Sequence, residues 1–300
     1  MKMDKIDFLD LLNSGVTLLG DGATGSYLQT KGLEPGGCPE YMCDSHPDVI
    51  KGMAKNYLEN GSNFVLTNSF GGNPFMLKKY GHKDLIKTLN IKAAQLARSE
   101  AKDDQFVIGS IGPTGEFLKP LGDVSEGEMS QAFHQQISAL LEGGVDGIIF
   151  ETMTSIEEIT LGIKTAKQIT DKPVIGSMVF DKGPRGLFTM MGITPEKAAK
   201  DLVDSGADVV ASNCGNGSEI MVEVASELMM YSENPVMIQS NAGIPEIING
   251  KIVYNEKPEF MAKNYLKMLD LGVKILGGCC GTDKHHIKEF RKLIDSQIKI

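Results

Sequence analysis

Tryptophan is missing from this 300-residue chain, and aromatic residues amount to only 6%. That scarcity argues against a carbohydrate cleft, which relies on flat aromatic surfaces for stacking. No stretch approaches the roughly 18 consecutive apolar residues of a membrane span, so a membrane partner is not expected. The opening residues, Met1-Lys-Met-Asp-Lys-Ile-Asp7, carry no apolar core of a signal peptide, which points to a cytoplasmic protein. Positive charge is also short: 30 Lys and Arg stand against 39 Asp and Glu, and the formal charge is −9. The basic residues are scattered, whereas phosphate backbones require them clustered, so a nucleic-acid partner is not expected. Five cysteines, an odd number with two adjacent, do not make a disulfide framework in a chain of this length. Free thiols or metal ligands fit better. Cys38 and Cys43, beside Pro35-Gly-Gly and Pro39, lack two further ligands nearby and read as loop or core residues.

The chain does contain short runs of Val, Ile, Leu and Phe, each followed by a Gly/Asn/Pro/Thr cluster and then by a segment of helical periodicity. Eight such runs are expected as strands: Val16–Gly22, Phe64–Asn68, Phe106–Ile111, Gly147–Glu151, Val174–Val179, Val209–Asn213, Val236–Ser240 and Lys274–Gly277. Asp84–Lys102 and Ser155–Ile169 are expected helices between them. Ser125, Ser155 and Thr194-Pro195 have the residue types that start helices. Gly61, Gly144, Gly206 and Gly272 suit the left-handed turn that ends one. Eight alternating units without a linker predict an α/β chain folded as one (β/α)8 TIM barrel over residues 1–300, with an open parallel sheet as the structural alternative. Gly20-Asp-Gly-Ala-Thr-Gly25 departs from the dinucleotide-binding spacing, because its third glycine comes one residue early.

In such a barrel the chemistry belongs at the carboxyl ends of the strands. Cys214 follows the sixth strand and Cys279-Cys280 the eighth, where three thiolates can meet at one tetrahedral zinc and leave its fourth position open. Two other readings compete. The cysteines can be small buried residues filling a tight rim, and the glycines around them can form a phosphate-binding loop for a phosphate ester substrate. Asp21 and Glu151, also at strand ends, can be read as the carboxylate pair of a glycosidase. His285 and His286 fall in the first turns of the last helix, where an exposed structural role is expected.

Asp21-Gly-Ala-Thr-Gly, Thr67-Asn-Ser-Phe-Gly, Ile111-Gly-Pro-Thr-Gly-Glu, Phe150-Glu-Thr, Asn213-Cys-Gly, Asn241-Ala-Gly and Gly277-Gly-Cys-Cys-Gly-Thr together resemble the homocysteine S-methyltransferase family. The resemblance spans almost the whole chain. The wording is nearest to the homocysteine-binding module of cobalamin-dependent methionine synthase. It implies Zn2+ held by Cys214, Cys279 and Cys280, with Asn241 as a fourth ligand when substrate is absent. It also implies Asp21 and Glu151 at the ammonium of homocysteine, and the amides around Gly22 and Ala23 at its carboxylate. The implied reaction is methylation of homocysteine to methionine through a zinc-bound thiolate. The chain ends soon after the last expected helix, so the methyl group is expected from a small donor at the barrel mouth or from a separate corrinoid protein. In the second case the chain is a partner-dependent binding module.

Overall fold

Eight parallel strands account for the main sheet of the computed structural model, which describes residues 7–248 and 251–297. They are β1 (Leu18–Leu19), β2 (Phe64–Leu66), β3 (Phe106–Ile111), β4 (Gly147–Met153), β5 (Val174–Met178), β6 (Val209–Cys214), β7 (Val236–Ser240) and β8 (Ile275–Gly278). From β2 to β8 each pairs with its sequence neighbour, and β8 returns to β1 through Leu18↔Ile275 and Leu19↔Leu276. Among the described residues only the β1–β2 seam lacks a strand ladder. There the Asn63 side chain accepts from the Leu19 amide at 2.9 Å while the Asn63 amide donates to the Leu19 carbonyl at 2.6 Å. Higher up, the Leu66 amide donates to Asp21 Oδ2 at 2.8 Å. The barrel is nearly closed, and side chains complete it. This is the expected (β/α)8 fold. Residues 1–6, in which a signal-peptide core was sought, and residue 300, the last of the expected single unit, lie outside the described residues.

Alternation along the strands produces two apolar layers, because successive side chains point to opposite faces. Phe106 and Ile108 face the barrel interior with Ile149, Ile175, Val209, Met237 and Ile275, whereas Val107, Val210, Val236 and Ile238 pack outward under the helices. The helix Phe8–Asn13 closes the amino-terminal end of the barrel. Its Phe8 ring meets Phe64 and Phe106 edge-on, with centroids 5.6 and 5.3 Å apart.

The helix signals act as expected. Ser125 forms a reciprocal capping box with Glu128, and Ser155 and Thr194 cap their helices. Gly61, Gly144, Gly206 and Gly272 all have positive φ, from 91° to 113°. Several expectations need correction. β1 covers two residues rather than Val16–Gly22, since its open edge is served by the Asn63 side chain instead of a ladder. The Asp84–Lys102 segment is a 3-10 turn, Lys83–Leu85, followed by the helix Ile86–Arg98. His285 is exposed, but His286 is buried, with Nδ1 2.8 Å from Asp283 and Nε2 3.1 Å from the Glu256 carbonyl. Two antiparallel hairpins were not expected: Asp181–Gly183 with Gly186–Phe188 after β5, and Glu246–Ile248 with Lys251–Val253 after β7. Among the described residues no helix is long and apolar enough to cross a membrane.

Candidate active site

Toward the carboxyl ends of the strands the interior changes character. Two residues beyond the last apolar inward positions come Ser110, Glu151, Ser177, Asn213 and Gln239, all on the same strand faces. Of these, Ser110, Glu151 and Gln239 line a cavity of about 260 Å3 whose walls include the turn from Gly22 to Gly25, Asn68, Phe70, Thr152 and the three cysteines.

Cys214, Cys279 and Cys280 place their sulfurs within 4.8 Å of one another. Backbone bonds hold them there: Asn241 N donates to the Cys214 carbonyl, Cys279 N to the Ser240 carbonyl, and Ala242 N to the Cys280 carbonyl. The glycines of the β8 loop are required by contact. A Cβ on Gly278 would lie 2.2 Å from Thr282 Oγ1, and one on Gly281, at φ 81°, would lie 2.2 Å from the Tyr254 ring. The Tyr254 ring therefore lies against the Cys280 loop, and Tyr254 is pushed well above the ordinary tyrosine range by burial and by the sulfurs. Cys214 itself sits at φ 69°, a left-handed conformation uncommon for a side chain of this kind. Hydrogen bonds from the other two thiols lower Cys214 to about 3, and the same sharing raises Cys280 to about 11.

A sulfur-rich set of this kind matches zinc, whose bonds of about 2.3 Å in a tetrahedron place ligand sulfurs about 3.8 Å apart. Asn241 adjoins the cluster, with its amide nitrogen 3.5 Å from Cys214 Sγ and 2.8 Å from the Gly215 carbonyl, while its Oδ1 is buried without a hydrogen-bond partner among the described residues. Three thiols and an orphaned amide oxygen fit a four-coordinate ion.

The two expected carboxylates lie close enough to interact: Glu151 lines the cavity, and Asp21, behind its lining residues, feels the Glu151 charge. Asp21 is 2% exposed, and burial raises its carboxyl to about 8, with Glu151 adding repulsion and the Leu66 amide opposing it. Glu151 is raised to about 7, chiefly by burial, although the Ser110 hydroxyl donates to it. Among the described residues Asp21 Oδ1 has no hydrogen-bond partner. A carboxyl pair of one buried and one part-buried acid, with an unmet acceptor and no basic side chain among the described residues that line the cavity, can receive a cationic group. In the glycine turn, Ala23 N–H is spent on Thr282 Oγ1 at 3.2 Å, whereas Gly22 and Thr24 N–H make no hydrogen bond among the described residues.

Some features had not been singled out. Thr152, next to Glu151, has φ 60°. A β-branched residue there costs on the order of 1–3 kcal/mol and persists only where its surroundings hold it. Glu40, 2% exposed, also lines the cavity; it accepts from Gly71 N at 2.6 Å and from Cys38 Sγ at 3.3 Å. A lone acid in a Gly, Pro and Cys loop was the available signal. Cys38 and Cys43 stand apart from the metal cluster; Cys43 is buried, with Sγ 3.5 Å from the Asn68 carbonyl.

Fold and site together define a (β/α)8 barrel with a trithiol centre beside buried acids at its carboxyl mouth. The chain belongs to the homocysteine S-methyltransferase family, whose model matches residues 18–294. It is 30% identical to methionine synthase of Mycobacterium tuberculosis over 304 residues, covering 94% of this chain and about a quarter (25%) of that one. Betaine-homocysteine S-methyltransferase 1 of Rattus norvegicus is 28% identical, with 96% of this chain and 74% of that one covered. The crystal structure of homocysteine methyltransferase MmuM from Escherichia coli in its metallated form superposes with a TM-score of 0.78 at 19% identity, over 94% of this chain and 98% of that one. This last likeness concerns the fold.

Proposed function

We propose that the protein is a zinc-dependent S-methyltransferase that methylates homocysteine to methionine, with residues 1–300 forming one homocysteine-binding barrel. The observation that carries this reading is the convergence of three cysteine sulfurs within 4.8 Å at a cavity that also holds a buried acid and no base. Cys214, Cys279 and Cys280 would hold the zinc, and Asn241 Oδ1 would complete its shell until substrate arrives. Bound zinc supplies thiol deprotonation near neutral pH, where a free thiol with a pKa near 8.5 is mostly protonated. Asp21 and Glu151 pair with the homocysteine ammonium. Its carboxylate lies against the turn at Gly22 and Ala23, where Gly22 and Thr24 provide the open amides and Ala23 shapes the wall. With ammonium and carboxylate fixed, the sulfur has one direction left in which to point, and orientation of this kind accounts for much of a displacement rate. Reduced thiols at three positions suit a cytoplasmic, reducing compartment.

The methyl donor follows from the charge of the cavity. An onium donor is favoured because Glu40 and Glu151 line the walls and no Lys, Arg or His does. The new S–CH3 bond forms as the donor's bond to its positive heteroatom breaks, and the electron pair leaves with that atom as a neutral product. Transfer from a separate corrinoid protein is a second reading. It is favoured by exposed apolar side chains on the loops that follow the strands, including Phe117, Met190 and Ile247.

Metal analysis of the purified protein, followed by incubation with homocysteine and S-methylmethionine, betaine or methylcobalamin, tests both parts. One zinc per chain and methionine from an onium donor are expected. A chain without zinc would sink the proposal. Zinc with turnover on no free donor would move the assignment to the partner-dependent module.

A further inference from the structure

Asn213 occupies the inward position of β6 immediately before Cys214 and is 1% exposed. Its Oδ1 accepts from Thr152 N at 2.8 Å and from Ser177 Oγ at 2.7 Å. Its Nδ2 donates to Thr152 Oγ1 at 2.8 Å, and the same nitrogen lies 3.4 Å from Glu151 Oε2 and 3.8 Å from Cys279 Sγ. The orientation of the amide is not arbitrary. Thr152 N–H can only donate, so the oxygen must face it, and the N–H side is then turned toward the acid and the sulfur.

From this geometry we infer that Asn213 is a positioning residue that couples the metal site to the substrate site. The inference rests on the zinc and homocysteine reading above. One neutral amide reaches the two anionic parts of the site, donating toward the acid that meets the ammonium and toward the sulfur of a metal ligand. Through two further bonds it holds Thr152 in its left-handed conformation, which sets the direction in which the neighbouring Glu151 leaves β4. An apolar residue in this place would leave Thr152 N, Ser177 Oγ and the acid without their shared partner. An aspartate would keep the acceptor for Thr152 N and Ser177 but present oxygen to both the acid and the sulfur.

Asn213→Asp is therefore the discriminating variant, because the Thr152 hydroxyl can reverse and donate, which preserves the structural bonds while the N–H donor is lost. Cobalt(II) substituted for zinc reports on the sulfurs through its thiolate charge-transfer band, and chelator competition gives metal affinity without any turnover. For Asn213→Asp we expect a thermal midpoint close to wild type, metal affinity lowered about tenfold, in line with the loss of outer-shell partners at metal sites, and a homocysteine KM raised at least tenfold with a smaller change in kcat. In a Glu151→Gln background the same substitution should raise KM much less. Ser177→Ala, which frees the amide from one side and leaves the fold's apolar layers intact, should raise KM about threefold, so that a poorly folding Asn213 variant does not leave the matter open. Metal affinity and KM within twofold of wild type in Asn213→Asp would overturn the inference, as would an unchanged KM in Ser177→Ala if the first variant does not fold. Wild-type protein that binds neither cobalt nor homocysteine would instead overturn the reading on which it rests.

Discussion

The two ends of this barrel are built from the same eight strands and differ in almost everything else. At the amino end, Phe8, Phe64, Phe106, Ile149 and Ile275 fill the interior with apolar side chains, and the rings meet edge-on. At the carboxyl end, two residues further along the same strand faces, the interior holds Ser110, Glu151, Asn213 and Gln239. There Thr152 and Cys214 have left-handed backbones, and Asp21 Oδ1 and Asn241 Oδ1 are buried without partners among the described residues. One end is filled by apolar packing, and the other keeps unmet acceptors beside its cavity. Strain and unmet polar groups are tolerated where a ligand is to complete them, while the far end provides the stability that permits it.

The sharpest test of this division is a pair of substitutions, one at each end. Cys279→Ala removes a proposed zinc ligand from a rim that carries little of the packing. Zinc binding should be abolished and methionine formation should fall at least about a thousandfold, with little change in the melting temperature of the metal-free protein. Phe8→Ala removes a ring from the plug and should cost about 3–5 kcal/mol of stability, while kcat measured below the new midpoint stays as in wild type. If Cys279→Ala unfolded the chain, or Phe8→Ala reduced kcat with zinc retained, the separation of the two ends would be wrong.

The same division explains what could be read from the sequence. Seven strands were legible to within two residues at either end because both their faces are apolar, and the helix caps were legible because one hydroxyl three residues ahead of a free amide has a local signature. The cysteines were legible through their places after β6 and β8. What escaped was the part decided by contacts between distant segments. β1 shrank because the Asn63 side chain replaces a ladder across the seam, and no periodicity announces such a substitution. The burial of His286 depends on the Glu256 carbonyl thirty residues away. Asn213 was visible only as the letter before a cysteine, since its importance lies in Thr152, Glu151 and Ser177 on two other strands.

A second way to probe the unsatisfied end is pH. Burial holds Asp21 near 8 and Glu151 near 7, above the usual values of 3.8 and 4.5. The folded chain therefore binds these protons more tightly than the unfolded chain. Their stabilising contribution is complete below about pH 4 and is lost as pH rises through 7 and 8. Metal-free, reduced protein should melt at progressively lower temperature from pH 5 to pH 8.5, and the double variant Asp21→Asn, Glu151→Gln should flatten that slope. Homocysteine, whose ammonium neutralises the ionised pair, should stabilise wild type more at pH 8 than at pH 5.5. A slope that persists undiminished in the double variant would assign the effect to other groups and remove the main electrostatic argument for the ammonium site.

The smallest effect is expected at the seam, where the satisfied end depends on a single side chain. Asn63→Ala keeps the backbone bond from residue 63 to the Leu19 carbonyl but leaves the buried Leu19 amide without its acceptor and Arg291 without one contact. A buried donor left unpaired costs about 1–3 kcal/mol, less than the loss of the Phe8 ring. The seam also carries Asp21, because Leu66 N donates to Asp21 Oδ2 just above Asn63. If the β1–β2 edge acts as one hinge line, loosening its lower bond releases Asp21, and the homocysteine KM should rise alongside the fall in midpoint. If the two bonds are independent, denaturant unfolding will show the loss of stability while KM stays at the wild-type value. The barrel's ends are then separate in function as well as in composition, and a rise in KM would show instead that the satisfied end helps to hold the unsatisfied one.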